Sequence, residues 1–356
     1  MKTSTAPVLV TGGCGFVGCN IADALALRGN RVIVYDSFAR SGSEENAHWL
    51  KARHGDAIEI VRADIREPEK LGPAVARASA VIHLAAQVAV TTSLDHPLED
   101  FAINAAGTLS VLECVRLANA QAPVVFASTN KVYGKLLTQE DVRRDGSRYA
   151  PLSDALAAGV NESSPLDFYS PYGCSKGTAD QYVRDYARIY GLSTAVLRMS
   201  CIYGPRQFGN EDQGWLAHFM IQALRRNPIT IYGDGCQVRD ALHVSDAVNA
   251  WLAVLDNIET VKGRIFNLGG GTRNAISLLE ALALIFEITG ERPQLSFADW
   301  RPGDQPWYVS DIRAISSALG WRPKVAVTDG LRDLGQWLTL RFGESRPGEG
   351  FEEARA

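Results

Sequence analysis

Val8-Leu9-Val10-Thr11-Gly12-Gly13-Cys14-Gly15-Phe16-Val17-Gly18 changes character part-way along. An apolar, β-branched run gives way to glycines at 12, 15 and 18, and a helical pattern follows over Asn20–Arg28. A strand that turns through glycine into a helix brings unpaired backbone N–H groups and the positive end of the helix dipole to one spot, which is the physical basis of a pyrophosphate cradle. Gly12 suits the tight turn and Gly15 the close approach of phosphates. Phe16 and Val17 open the helix beside them, and Gly18 lets helix pack on strand. Glycine turns also occur with no ligand, so the next acidic residue matters. Asp36 ends a second apolar run, Arg31–Tyr35, 18 residues past Gly18. A carboxylate there accepts hydrogen bonds from ribose hydroxyls and repels a 2′-phosphate, so the expected cofactor is NAD rather than NADP.

The same alternation continues outward. Strand-like runs at Ile58–Arg62, Ala80–Leu84, Val124–Ser128 and Ser193–Arg198 are separated by helical stretches such as Gly107–Ala118 and Ser175–Tyr190. Continuous apolar strands between helices predict an α/β fold, a doubly wound Rossmann parallel sheet covered on both faces. Beyond residue 198, Gly204-Pro205, Gly233-Asp234-Gly235 and Gly269-Gly270-Gly271 punctuate shorter elements. This predicts a dinucleotide-binding domain over 1–198, to which 236–262 returns. A smaller C-terminal α/β lobe is expected over 199–340, with a frayed tail over 344–356. The long polar segment Gly134–Tyr172 is expected to fold over a site rather than add to the sheet. Asp64-Ile65 and Leu84-Ala85-Ala86, at strand ends, are candidate contacts to the adenine and to the underside of the cofactor, or ordinary packing.

Composition narrows the class. A 356-residue chain with 46% apolar and 21% charged residues and a net charge of -4 reads as globular, and a pI near 5.9 argues against a nucleic-acid binder. No apolar run approaches the ~18 residues of a membrane span, and Met1–Ala6 lacks the apolar core of a signal peptide. The six cysteines form no Cys-x-x-Cys pair, which fits reduced thiols in a cytoplasm and assigns no metal.

Reaction type is carried by Ser128-Thr129-Asn130-Lys131-Val132-Tyr133-Gly134 and Tyr172-Gly173-Cys174-Ser175-Lys176. Tyr172 and Lys176 are four apart and share a helix face. An ammonium beside a phenol is expected to lower its pKa toward that of a general base, and Thr129 is placed to hold a substrate hydroxyl against it. A bare Tyr-x-x-x-Lys also arises on any amphipathic helix with a snorkelling lysine; the glycine loop and Asp36 give it weight.

Together these motifs, in this order, resemble those of the extended short-chain dehydrogenase/reductases, the family of nucleotide-sugar epimerases and dehydratases, over about residues 7 to 340. The resemblance implies a Rossmann domain, tightly bound and recycled NAD, a homodimer or homotetramer, a nucleotide diphosphate sugar as partner, and Thr129, Tyr172 and Lys176 as the catalytic set. Asn104 falls where the family often kinks a helix with asparagine; a plain cap is the alternative. The family's 4,6-dehydratases carry an Asp-Glu pair after the threonine, where this chain has Asn130 and Lys131. An amide and an ammonium cannot replace two carboxyls in an elimination. The Cys/His pair of the deoxysugar reductases finds only His83 and His243, both read as structural.

The string through Lys131, with Gln87-Val88-Ala89-Val90-Thr91-Thr92-Ser93 and Asp212-Gln213-Gly214-Trp215, is most similar to the CDP-paratose 2-epimerase subgroup. On that resemblance Gln87, Thr92, Asn130, Cys201 and Gln207 are candidate sugar-nucleotide contacts. Arg206, Arg239 and Arg301 match family positions near the diphosphate, a role guanidinium forks suit. Cys201 stands where many 4-epimerases carry asparagine. A 2-epimerase of CDP- or UDP-glucose, a 4-epimerase, and a non-catalytic NAD-binding sensor are the competing readings.

Overall fold

A computed structural model describes residues 6–301 and 303–343; the expected tail at 344–356 lies outside them. The central sheet has seven parallel strands in the spatial order Arg264–Leu268, Thr194–Met199, Val124–Thr129, Ala80–His83, Val8–Thr11, Val32–Asp36, Ile58–Arg62. Val8–Thr11 and Val124–Thr129 are buried at every position, as strands covered on both faces must be. Six strands sit where the apolar runs predict. The stretch 236–262 expected to return to this domain does so only in part: the helix Val244–Asp256 packs on the central sheet, whereas Val238–His243 belongs to the smaller body. The seventh strand, Arg264–Leu268, lies just past it, and its buried part is the short Phe266-Asn267-Leu268.

The chain order reverses between Val8–Thr11 and Ala80–His83, both paired to each other, and the crevice outside their carboxyl ends is the usual ligand position of such a sheet. One face is covered by the helices Phe16–Leu27 and Val244–Asp256, packed through Ile21, Leu25, Trp251 and Leu255. The other is covered by Pro68–Arg77, Gly107–Ala118 and Ser170–Ile189 through Leu71, Val111, Leu112 and Val183.

A smaller body forms from Val238–His243, which pairs with Ala275–Ser277, Trp307–Tyr308 and Cys201–Tyr203, and from the parallel pair Ile229–Tyr232 and Leu295–Ala298. Helices Trp215–Arg225, Leu278–Thr289 and Val327–Gly343 share its core with Met220, Ile229, Leu282 and Leu334. The Gly134–Tyr172 segment contains the hairpin Val142–Asp145/Arg148–Pro151. It docks on this smaller body, where Tyr149 Oη donates to Asp234 at 2.6 Å and Arg148 pairs with Glu280.

One sequence expectation is corrected here. Residues Pro97–Ala118 join into a 22-residue helix of mean hydropathy 1.3, long and apolar enough to cross a membrane by length and composition. Glu99, Asp100, Glu113 and Arg116 interrupt its apolar residues. The helix packs on Pro68–Arg77 and Ser170–Ile189 and buries Asp100, Asn104 and Thr108. Its stretch Ala102–Ala106 is a π-helix. Asn104 lies within it and spends its amide on Gln87 O, Asp100 and Ser175, so it accompanies a helix distortion and is no cap.

Candidate active site

The glycine cradle is built by close approach. Gly12 has φ +66, and a Cβ on it would lie 2.7 Å from the Ala85 nitrogen. A Cβ on Gly18 would collide with the Gly12 carbonyl. Leu84-Ala85-Ala86 therefore runs directly against the turn, with Ala85 N–H donating to Thr11 Oγ1 at 3.3 Å. The helix begins at Phe16 with Gly15 as its cap and no side chain capping its N–H groups. Asp36, 8% exposed, accepts from Cys14 N–H at 2.9 Å and Phe38 N–H at 2.8 Å. Burial raises its pKa, and those N–H groups pull it back down. Asp64 gives both oxygens to the Arg66 fork at 2.7–3.0 Å, which holds its carboxyl below the usual range ahead of burial's opposing effect. Ile65 is buried against Gly107. A cradle that any side chain would fill, an uncapped helix start and an anchored carboxylate at the second strand fit a dinucleotide such as NAD.

Thr129 ends its strand and starts a 3-10 turn, accepting from Lys131 N–H at 3.2 Å. The helix expected from Ser175 begins instead at Ser170, with Pro171 in its first turn, the place where a missing N–H costs nothing. Tyr172 thus also lies in the first turn, its N–H donating to Ser93 Oγ at 3.2 Å. The Thr129 side chain lies close enough to the Tyr172 phenol to pull its pKa down. Lys176 lies over the Phe126 ring, 4.3 Å from its centroid.

The electrostatics correct the expected pKa shift. Burial pushes the Tyr172 phenol up to about 12, against the downward pull of Thr129. Burial also pushes Lys176 down to about 7, against the pull of Asp180 and Asp100. A lysine so desolvated is only partly charged at neutral pH, so in the chain alone it does not make Tyr172 a phenolate.

The remaining candidates separate. Arg239, 7% exposed, ion-pairs with Asp304, and Lys131 reaches the same corner with Nζ 3.4 Å from Gly303 O. Cys201 lies close by, accepting from Trp215 Nε1 at 3.4 Å. Asn130 is buried and accepts from Thr129 Oγ1 at 3.4 Å. Gln87 folds its amide onto Ala89 O and N–H at 2.8 and 2.6 Å. Gln207 donates to Ile202 O at 3.1 Å, and Thr92 is exposed on the short helix Val90–Asp95. Arg206 stacks on Trp49 at 4.1 Å and Trp337 at 5.8 Å. Arg301 stacks on Tyr232 at 3.9 Å and donates to Glu211 O at 3.0 Å. The three arginines thus have three different sets of partners. His83 is buried between Thr11 at 2.7 Å and Thr108 at 3.0 Å, and burial lowers its pKa to about 3. His243 caps Val244–Asp256.

Sequence reading missed the frame behind these groups. Ser128 Oγ donates to Asp180 at 2.6 Å, and Arg198 forks onto the same carboxylate at 2.9 Å and donates to Tyr133 Oη at 3.0 Å. Asp180 lies one helical step past Lys176, a spacing that could have pointed to it. Arg198 could be found only from the pairing Ser128↔Arg198.

Comparison with known proteins gives consistent relatives. The profile of the NAD dependent epimerase/dehydratase family matches residues 8–269. The CDP-paratose 2-epimerase of Salmonella typhi is 41% identical over 339 residues, covering 93% of this chain and 99% of that protein. The structure of a UDP-glucose 4-epimerase from Thermus thermophilus in complex with NAD superposes with a TM-score of 0.78 at 32% identity, over 93% of this chain and 98% of that one. One from Thermotoga maritima with UDP-glucose gives 0.80 at 29% identity, over 94% and 99%.

Proposed function

The chain belongs to the NAD dependent epimerase/dehydratase family, and on that premise we propose that it is a nucleotide-sugar 2-epimerase whose substrate is CDP-paratose or a close analogue. The observation that carries this reading is the 41% identity to a CDP-paratose 2-epimerase along nearly the whole of both chains. The Thr129-Asn130-Lys131 string supports it, since no carboxyl pair follows Thr129 to drive an elimination.

NAD, when bound, supplies a hydride acceptor that later returns the hydride, and a positively charged ring. The chain's own residues do the rest. Thr129 and Tyr172, whose side chains are neighbours, hold the carbon-2 hydroxyl between them. Tyr172 Oη takes the hydroxyl proton as the hydrogen on carbon 2 departs, leaving a ketone. The ketone turns over about its link to the diphosphate, which Arg239 holds, and Tyr172 gives the proton back once the other face is reduced. Paratose has no hydroxyl at carbon 3, so oxidation at carbon 4 would acidify carbon 3 and leave carbon 2 untouched; direct oxidation at carbon 2 is the consistent route.

A panel of CDP-paratose, CDP-glucose and UDP-glucose, with products read by NMR, tests the assignment. The expected result is inversion at carbon 2, fastest with CDP-paratose. Inversion of UDP-glucose at carbon 4, with carbon 2 of every substrate unchanged, would overturn it.

A further inference from the structure

Lys131 joins the two walls of the cleft. Its backbone is fixed at the reacting end: its N–H donates to Thr129 Oγ1 at 3.2 Å. Its carbonyl packs against Gly173, where a Cβ would lie 3.3 Å from the oxygen. From that root the side chain crosses to the smaller body, Nζ lying 3.4 Å from Gly303 O among Asp304, Arg239 and Cys201. Arg239 is bonded to the same Asp304. A lysine and an arginine therefore stand at one carboxylate in a largely buried corner, Arg239 ion-paired to Asp304 and Lys131 bonded to the Gly303 carbonyl. Burial lowers the Lys131 ammonium pKa while Asp304 supports it. Burial opposes the Asp304 charge, but Arg239 and Lys131 together hold its carboxyl below the usual range. Two basic side chains buried around a single carboxylate are short of negative partners, and an anion joining them would supply one.

Sugar geometry says where that anion would be, given the 2-epimerase reading on which this step rests. The diphosphate is attached at carbon 1. When carbon 2 faces Tyr172, the sugar-linked phosphate lies beside the reacting atom and next to Thr129. When carbon 4 faces Tyr172, that phosphate lies across the ring. Lys131, rooted two residues after Thr129 and reaching from there to the Gly303 carbonyl, runs along the side of the site where the first arrangement puts the phosphate. We propose that Lys131, alongside Arg239, binds the sugar-linked phosphate.

The test uses the full-length enzyme with its bound NAD and the variants Lys131→Met and Lys131→Arg. The first readout is CDP binding by calorimetry, since CDP carries the terminal phosphate without the hexose attached to it. Lys131→Met is expected to weaken CDP about ten- to a hundredfold, the size of one charge-assisted contact. Lys131→Arg is expected to recover most of that loss, and NAD content should match the parent in both. The second readout is turnover of CDP-paratose, where Lys131→Met should lower kcat/KM by a similar factor. Unchanged CDP affinity in Lys131→Met, or equal losses in the Met and Arg variants, would overturn the proposal. Carbon-2 turnover by the parent enzyme tests the underlying reading separately, so the two can fail independently.

Discussion

At the residue scale, the site holds its proton in an unexpected place. With the phenol at about 12 and the ammonium at about 7, Lys176 gives up a proton long before Tyr172 does. Phenolate formation would then need further positive charge near Tyr172, which the ring of bound NAD would supply. Tyr172→Phe, which deletes one oxygen, is expected to abolish most turnover while NAD stays bound; near-parental kcat with a co-purifying cofactor would contradict the assigned role. Lys176 gives a stability signature. Its folded pKa lies below the ~10.4 of an unfolded lysine, so between about 7 and that value the unfolded chain binds more protons and stability rises with pH. The cost of burying the ammonium is complete below the folded pKa and fades toward the unfolded one. After NAD is removed, Lys176→Met should therefore melt higher than the parent at pH 6, and the gap should narrow by pH 9.5. A gap that widens with pH would refute the shift.

At the element scale, the catalytic helix is locked to the sheet by charge as well as by apolar packing. Arg198 and Asp180 are 2% and 0% exposed in their side chains, and Asp180 also receives Ser128. Removing one partner leaves a buried charge unpaired, which costs about 3–5 kcal/mol. Arg198→Met should lose about that much in urea melts, and Arg198→Met/Asp180→Leu should recover a good part of it. A single variant as stable as the parent would show that the pair holds nothing.

Much of this level was legible in the sequence, and what was missed has a physical reason. Val8–Thr11 and Val124–Thr129 are long enough in apolar residues to be seen as buried strands, and the spacing of Gly12, Gly15 and Gly18 carries the turn geometry directly. Asp36 is read from its distance to that turn. Arg198 acts only through strand register, and Asp304 meets Lys131 only through a return of the chain more than a hundred residues later, so neither spacing nor period could announce them. The phenol pKa is not legible in the sequence, because a helical interval gives the distance between two groups and says nothing of the water around them.

At the scale of the whole molecule, the cleft lies between the central sheet and the smaller body, and Arg206 helps to hold the two in place. It sits between Trp49 of the Ser43–His54 helix and Trp337 of the Val327–Gly343 helix. Phe208 packs edge-on to Trp337 and Arg341 pairs with Glu45. The resemblance alone would send Arg206 to the diphosphate. The geometry predicts that Arg206→Ala lowers Tm by several degrees while KM changes little. A large rise in KM at unchanged Tm would return Arg206 to the phosphate.

The account's central claim is that hydrogen leaves carbon 2 of the sugar and comes back to the same carbon on its other face. Turnover of CDP-paratose carrying deuterium at carbon 2, in ordinary water and read by NMR, tests this directly. The prediction is a product inverted at carbon 2 with its deuterium retained. Loss of the label to solvent, or no inversion at carbon 2, would contradict it.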